Sequence, residues 1–377
     1  MDILKMVENF SSRLARIGVQ AERCCRVRSL LARCTRCLEV CPTGGISWPA
    51  GELHIGRCLD CGLCTAVCPT GALCLQEPGE EQIIRRVEVL AAEYGAAVIL
   101  CERQESARNL PQGMVVPCLG ALSPDFLLLV LARSLAVQFY LAPEACSACQ
   151  VAGGGEIFRL RLEEIGVANK LAGLSAVVVN EVRPAAGRER GHGGAGEQVT
   201  NRRKLLTQAW QGLRQLPLVM LRDALVEEDG ADGKRTKLAE LPGQVPPRRR
   251  LYLEAVKHGG NMPDLYQQPG VRGTCFFCRA CTILCPTGSL RQVEEGDSVS
   301  LYLDTATCTG CGLCAQACFH QTLLLEGGCE DPGQDRHLVL VKGWQQRCAE
   351  CGQEFSASTE SSRCPGCAGK EGALFAG

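Results

Sequence analysis

The chain has 377 residues, of which 46% are hydrophobic, and a formal net charge of −1 at pH 7. This composition excludes wholesale disorder, and the lack of a basic excess argues against nucleic acid as the main partner. The 27 cysteines stand in a chain far larger than the small secreted scaffolds in which such density means disulfides, so the sequence favours metal ligation.

Residues 1–22 alternate charged and apolar side chains at helical spacing and predict an N-terminal helix. They contain no uninterrupted apolar core and no small-residue cleavage site, so we expect a cytoplasmic protein. The most apolar stretch, Phe126 to Ala142, is shorter than the ~20 residues that a membrane span requires. It is interrupted by Arg133 and Gln138 and predicts a buried helix followed by a strand, with no membrane span.

A cysteine motif repeats along the chain. CLDCGLCTAVCPTGAL from Cys58 is echoed by CFFCRACTILCPTGSL from Cys275 and by CTGCGLCAQACFHQTL from Cys308. These runs resemble the C-x2-C-x2-C-x3-C-P motif of bacterial ferredoxins, whose fourth cysteine ligates the other [4Fe–4S] cluster of a pair. The repeat predicts two modules that each hold two such clusters, at residues 23–90 and 271–330.

The first module has one complete run and one defective run, in which Leu31 stands where the first cysteine belongs. The crossover rule predicts one full cluster, held by Cys41, Cys58, Cys61 and Cys64. The other cluster has three ligands from the motif, Cys34, Cys37 and Cys68. Cys24 is predicted as its fourth ligand, because similar iron–sulfur proteins have a cysteine ten residues before the corresponding pair. Cys25 or a three-iron cluster are the alternatives.

The second module has both runs complete, with Phe319 in place of the second proline. Crossover predicts a cluster held by Cys275, Cys278, Cys281 and Cys318. Its partner cluster is predicted to be held by Cys285, Cys308, Cys311 and Cys314. Cys74 and Cys329, which lie outside these sets, are predicted to be buried thiols packed behind the clusters.

Residues 91–182 contain short apolar runs separated by helical patterns and predict a small α/β domain. VVPCLGALSPDFLLLVLARSLA and the later CSACQVAGGG resemble the small iron–sulfur (delta) subunit of methyl-viologen-reducing hydrogenases. That resemblance implies a [2Fe–2S] cluster held by Cys101, Cys118, Cys146 and Cys149. The family usually has two cysteines in its first loop, whereas Cys101 is alone. A clusterless docking domain and a dithiol switch at Cys146 and Cys149 are the alternatives.

Residues 183–270 are rich in glycine and charge and predict a flexible linker with helices, one from Asn201 to about Val226 and a short one near Leu251 to His258. Residues 340–377 carry C-x2-C-x12-C-x2-C, a spacing close to that of a zinc ribbon. We therefore expect zinc at Cys348, Cys351, Cys364 and Cys367, with a single rubredoxin-like iron as the alternative.

The sequence thus predicts an α+β protein in which two ferredoxin-like modules flank the α/β domain and a ribbon follows. Its predicted function is that of a non-catalytic electron-transfer subunit of an oxidoreductase complex in anaerobic metabolism. The resemblance implies a hydrogenase, a formate dehydrogenase or a heterodisulfide-reductase-like flavoprotein as partners. The alternative is an iron–sulfur redox sensor or assembly protein that uses the ribbon for partner contacts.

Overall fold

The computed structural model describes residues 16–104, 110–151, 153–169, 177–179, 243–259, 265–327 and 337–372. They belong to one compact unit, Met1–Ala185 with Leu238–Gly377, and a second unit, Ala186–Lys237, lies outside the described residues. Residues 1–15, Cys329 and the helix predicted from Asn201 to Val226 also lie outside them.

Module one is built from seven short elements: β1 (Ile17–Val19), α1 (Cys25–Arg28), α2 (Arg36–Glu39), β2 (Ile46–Ser47), β3 (His54–Ile55), α3 (Leu63–Val67) and β4 (Leu73–Leu75). β1 pairs antiparallel with β4, and β2 with β3. The end of the predicted N-terminal helix is therefore a strand. Burial explains the difference, because pairing with β4 packs the β-branched side chain of Ile17 into the core of the module.

The central region alternates helices and strands: α4 (Glu80–Tyr94), β5 (Ala97–Cys101), β6 (Gly113–Val116), α5 (Pro124–Ala132), β7 (Val137–Tyr140), α6 (Pro143–Ser147), α7 (Gly154–Asn169) and β8 (Val177–Val179). The strands form one parallel sheet in the order β6-β5-β7-β8. Ser123 caps α5, since its Oγ accepts a hydrogen bond from the Phe126 N–H at 3.1 Å.

The predicted buried helix and strand within residues 126–142 correspond to α5 and β7. Six residues of α5 are buried, so its apolar character reflects the protein core. Among the helices in the described ranges, none combines the length and apolarity needed to cross a membrane.

Helix α8 (Pro247–Gly259) contacts module one, the central region and module two. Arg248 forms an ion pair with Asp125 of α5 at 2.7 Å, and its Nη1 donates to the Cys68 carbonyl of module one at 3.2 Å. Arg249 is buried over the rings of Tyr252 and Tyr266 and donates to the Thr305 carbonyl. The helix begins earlier than the sequence predicted because Pro247 suits a first helical turn, where its missing N–H costs little.

Module two and the tail contain nine elements: β9 (Gln268–Val271), α9 (Ala280–Leu284), β10 (Leu290–Glu295), β11 (Ser298–Asp304), α10 (Leu313–Gln316), β12 (Leu323–Glu326), β13 (His337–Arg347), β14 (Glu354–Ala357) and α11 (Pro365–Gly372). β9 pairs with β12, and the other strands form a sheet in the order β10-β11-β13-β14. β13 thus pairs with module two on one side and with the tail on the other. The content of helices and strands confirms the predicted α+β class.

Candidate metal centres

The first candidate centre, site A, consists of Cys24, Cys34, Cys37 and Cys68. All four line one cavity with about 380 Å³ of empty space. Cys34 and Cys37 come from the defective run and lie just before and within α2, Cys68 follows α3, and Cys24 immediately precedes α1. Burial and the neighbouring thiols of Cys68, Cys34 and Cys24 raise the pKa of Cys37 to about 12. The ligand set predicted from the sequence therefore lies together around one space.

Cys24 and Cys25 are adjacent in sequence but their thiols have different neighbours. The Cys24 sulfur accepts a hydrogen bond from the Trp48 ring N–H at 3.5 Å and interacts with Cys34 and Cys37. Cys25 also borders the cavity of site A, but its thiol is hydrogen-bonded to Cys311 of module two. This geometry favours Cys24 over Cys25 as the fourth ligand of site A.

The second centre, site B, consists of Cys41, Cys58, Cys61 and Cys64, which line a cavity with about 350 Å³ of empty space. The loop around Cys58 is shaped for a thiolate, because the backbone N–H of Asp60 points at the Cys58 sulfur at 3.3 Å. Asp60 and Gly62 have positive φ angles of 50° and 76°, which turn the backbone around the cavity. Cys58 is exposed, whereas Cys61 and Cys64 are buried.

Module two repeats this arrangement in site D, which consists of Cys275, Cys278, Cys281 and Cys318. These cysteines line a cavity with about 390 Å³ of empty space. Burial and the thiols of Cys275, Cys278 and Cys318 raise the pKa of Cys281 to about 12. His320 lies beside the site with its ring 4.8 Å from that of Phe276.

The remaining quartet of module two, site C, consists of Cys285, Cys308, Cys311 and Cys314. Burial raises the pKa of Cys308 to about 12, and the thiols of Cys311 and Cys285 add to the increase. The pKa of Cys314 is likewise raised by burial and by the other three thiols of the site. The N–H of Ser289 donates to the Cys285 sulfur at 3.3 Å. The structure therefore groups the module-two cysteines by the crossover pattern that the sequence predicts.

Hydroxyl groups beside the fourth cysteine of each run were not singled out from the sequence. Threonine Oγ1 lies near the sulfur of that cysteine in every run, in the pairs Cys41–Thr43 (3.4 Å), Cys68–Thr70 (3.8 Å), Cys285–Thr287 (3.7 Å) and Cys318–Thr322 (3.4 Å). The signal was present in the sequence, because C-P-T-G occurs three times. These hydroxyl groups are placed to hydrogen-bond the thiolates, a contact that tunes cluster potentials.

The spacing of the cysteine sulfurs indicates whether each candidate centre suits a single metal ion or an iron–sulfur cluster. Among the described residues, the ribbon quartet of Cys348, Cys351, Cys364 and Cys367 is the group whose sulfurs all lie within 4.8 Å of one another. That spacing suits a single tetrahedral ion, with sulfur ligands ~2.3 Å from the metal. Sites A, B and D instead surround cavities of nearly equal size. Each of these three cavities suits a group larger than a single ion, such as an iron–sulfur cluster.

In the central region, Cys101 ends β5 and Cys118 follows β6. The two strands are parallel neighbours, so both thiols lie at the same edge of the sheet. A hydrogen bond from the Cys118 thiol lowers the pKa of Cys101 to about 7. The Cys146 thiol interacts with Cys101 and Cys149. The four cysteines that the resemblance implicates therefore form one connected group.

The glycines that follow this group leave room for the thiols. A Cβ at Gly154 would lie 2.6 Å from the Cys118 sulfur, and one at Gly155 would lie 3.0 Å from the Cys146 sulfur. The first distance is shorter than real Cβ contacts, so a side chain at Gly154 requires the Cys118 thiol to shift, and a side chain at Gly155 requires a smaller shift of the Cys146 thiol. The sequence VAGGG contains these glycines but gives no sign that they make room for the thiols, because that role depends on the close approach of α7 to the cysteines.

The ribbon is in direct contact with site D. Backbone N–H groups, that of Cys364 first, lower the pKa of Cys348 to about 6 and so favour its thiolate. Beyond the ribbon cysteines, the Ser358 N–H donates to the Cys275 carbonyl and the Cys275 N–H donates to Ser358 Oγ, both at 2.9 Å. The predicted ribbon therefore packs on module two and is not a detached tail.

Comparison with known proteins agrees with this geometry. Residues 32–72 and 274–322 match the family described as the 4Fe–4S dicluster domain. The chain gives no significant match to a curated protein or to a solved structure. The two matched regions lie within modules one and two. They confirm the prediction of a multi-cluster, ferredoxin-like protein with an iron–sulfur electron-transfer role.

Proposed function

We propose that this chain is an electron-transfer subunit that relays low-potential electrons through four [4Fe–4S] clusters between partner oxidoreductases. The observation that carries the proposal is the grouping of sixteen cysteines into four quartets by the crossover pattern. Clusters bound there would supply reversible one-electron chemistry at potentials commonly near about −400 mV.

The protein's own contribution is to hold the thiolates and to control their surroundings. Ligands of sites A and C are largely buried, which excludes water and makes an added negative charge costly. Backbone N–H groups and the threonine hydroxyls oppose this cost by donating to sulfur. The balance of these two effects sets the potential of each site.

Two additional centres complete the proposal. The connected cysteines of the central region and their glycine neighbours support a [2Fe–2S] cluster at Cys101, Cys118, Cys146 and Cys149. The close sulfurs of the ribbon support zinc, or a single iron, at Cys348, Cys351, Cys364 and Cys367. We assign the zinc a structural role, because the ribbon is a small region whose folding such a metal would stabilise.

Candidate partners follow from the resemblance of the central region to a hydrogenase subunit. They are a hydrogenase, a formate dehydrogenase and a heterodisulfide-reductase-like flavoprotein, each of which exchanges electrons with iron–sulfur subunits. We place the protein in the cytoplasm of an anaerobically growing cell, where low-potential clusters survive. Purification of the tagged chain from its native host under anaerobic conditions, followed by identification of the bound proteins, tests this assignment.

The decisive experiment counts metal and sulfide in the anaerobically purified full chain. Four [4Fe–4S] clusters require sixteen irons and sixteen sulfides, a [2Fe–2S] cluster adds two of each, and the ribbon adds one zinc. Potentiometric titration followed by electron paramagnetic resonance (EPR) should then show reversible reduction at low potential. Four or fewer irons per chain would exclude the relay.

A redox sensor or assembly protein is the second candidate. The observation that favours it is the pair of hydrogen bonds between the ribbon and Cys275, since a change at site D is in position to alter the ribbon. A sensor should change its affinity for a partner when its clusters are oxidised. A relay should instead pass electrons from dithionite-reduced clusters to an acceptor over many turnovers.

A further inference from the structure

Among the described residues, one buried thiol belongs to none of the six proposed metal centres. Cys25 is 4% exposed and lies at the start of α1, next to the site A ligand Cys24. It packs in one cluster with Cys34 of site A and Cys311 of site C, and its thiol is hydrogen-bonded to Cys311. Cys25 therefore lies between a ligand of module one and a ligand of module two.

The surrounding contacts fix this junction between the modules. Arg28 is buried and donates from Nε to the Leu284 carbonyl at 2.9 Å and from Nη2 to the Ile283 carbonyl. Both carbonyls lie immediately before Cys285, a site C ligand. The Arg33 N–H donates to Oε1 of Gln316, two residues after Cys314, at 3.0 Å. These bonds attach module one to the two helices of module two that flank site C.

Neighbouring thiols also connect the sites within each module. Cys64 of site B packs in one cluster with Cys37 of site A, and Cys314 of site C packs in one cluster with Cys281 of site D. Sites A and B are thus neighbours, as are sites C and D. Combined with the junction at Cys25, these contacts arrange the sites in the order B, A, C, D.

Solvent exposure agrees with this order. Sites B and D each have one exposed ligand, Cys58 and Cys278 respectively. No ligand of site A or site C is exposed. Sites B and D therefore each present one ligand to solvent, and site B also packs through Cys61 against Cys118 of the central region.

We infer that the two modules form a single conductor, in which electrons cross from one module to the other at the contact of Cys25 with Cys311. Electrons enter or leave this conductor at the exposed ligands Cys58 and Cys278. This inference rests on the proposed relay function. The rate of electron tunnelling falls steeply with distance and with gaps in packing, so a buried side chain packed against ligands of both inner sites favours transfer there. Two independently working ferredoxin modules would need no such contact.

EPR of the reduced protein tests the order of the sites. A variant in which Cys58, Cys61, Cys275 and Cys278 are replaced by alanine removes sites B and D but no ligand of sites A and C. Iron and sulfide should fall to roughly half, which shows that the inner sites are intact. Full reduction should then give a signal broadened and split by spin–spin interaction, and partial reduction should give the sharp signal of an isolated cluster.

Two sharp, non-interacting signals from the fully reduced variant would overturn the inference. The control variant keeps one inner and one outer site of different modules, A and D, by replacing Cys58, Cys61, Cys308 and Cys311 with alanine. Its signals should interact more weakly than those of A and C. Equal interaction in the two variants would also contradict the order.

The role of Cys25 itself is tested by comparing Cys25→Ala with Cys74→Ala. Both replacements remove a non-ligand thiol next to site A, but Cys74 contacts the Gly18 carbonyl on β1 and not module two. Both variants should keep the iron and sulfide of the unaltered protein. Transfer of electrons from module one to module two, measured by freeze-quench EPR after rapid partial reduction, should be several-fold slower in Cys25→Ala alone.

Failure of the relay and failure of the junction give different results. Too little iron in the unaltered protein rejects the proposed function. A full set of clusters with no interaction between sites A and C, or with equal transfer rates in the Cys25 and Cys74 variants, rejects only the junction.

Discussion

Ser358 and Cys275 exchange two hydrogen bonds, each 2.9 Å long, and so attach the ribbon to a ligand of site D. The neighbouring hydroxyls of Thr274 and Thr359 lie 2.7 Å apart and extend the same contact. Because β14 ends one residue before Ser358, the position of this serine depends on the folded ribbon. The ribbon therefore supports the loop that begins site D.

Loss of the ribbon metal should accordingly weaken site D. In Cys364→Ser the bound metal should be lost, the loop around Cys275 should loosen, and site D should lose iron in air faster than sites A and B. Metal analysis and EPR at intervals after exposure to air measure this. Ser361→Ala is the control, because the Ser361 hydroxyl donates to the Arg363 carbonyl and touches no metal ligand. Equal lability of site D in both variants would contradict the supporting role.

Replacement of Cys24 should damage site A alone. Cys24→Ser should lose about a quarter of the cluster iron or convert site A to a three-iron cluster, because site A has only three cysteines from the ferredoxin motif. Iron analysis and EPR of the oxidised protein distinguish these two results. Cys25→Ser is the matched control and should keep all its iron. If Cys24→Ser keeps its iron and spectrum while Cys25→Ser does not, the assignment of the fourth ligand is wrong.

A side chain at Gly154 should disrupt the central cysteines. The added Cβ of Gly154→Ala would lie 2.6 Å from the Cys118 sulfur, so we expect destabilisation by ~1–3 kcal/mol and loss of any cluster held there. Circular dichroism in the visible region and denaturant unfolding measure the two effects. Gly327→Ala is the control, since a Cβ there meets no atom within 4 Å. An unchanged spectrum and unchanged stability in Gly154→Ala would contradict the proposed role of this glycine.

Arg248 should contribute more to stability than its neighbour Arg250. Asp125 is fully buried, and Arg248→Ala leaves its carboxylate with the Tyr266 hydroxyl but without a counter-charge. Removing one partner of a buried pair costs ~3–5 kcal/mol. The pair of Arg250 with Glu81 is exposed, so Arg250→Ala should cost ~1 kcal/mol or less. Urea unfolding followed by fluorescence compares them, and equal losses would contradict this account.

Local spacing explains why most of the ligand sets could be predicted from the sequence. In a ferredoxin run the first three ligands of a cluster lie within seven residues, so the pattern around Cys58 or Cys308 is nearly sufficient to identify a site. The fourth ligand of site A was harder to predict. The ten-residue spacing of similar proteins favours Cys24, but Cys25 is adjacent to it, and the packing of α1 against module two is what gives the two thiols different neighbours.

Long-range contacts explain what the sequence did not reveal. The strand at residues 17–19 depends on pairing with β4, more than fifty residues away, and this pairing overrides the helical periodicity. β13 crosses the boundary expected at residue 340 because its residues pair with both β11 and β14. The association of Cys25 with Cys311 has no local signal, since it depends on the docking of two separately encoded modules.

The bond from Arg28 to the Leu284 carbonyl joins residues 256 positions apart. At about 5–20 residues per second, a ribosome needs roughly 13–50 s to synthesise that interval. Once residue 90 has been synthesised, module one is complete, but the face that will contact module two is still open to water. We therefore expect iron and sulfide to have free access to site A until the last third of the chain folds against module one.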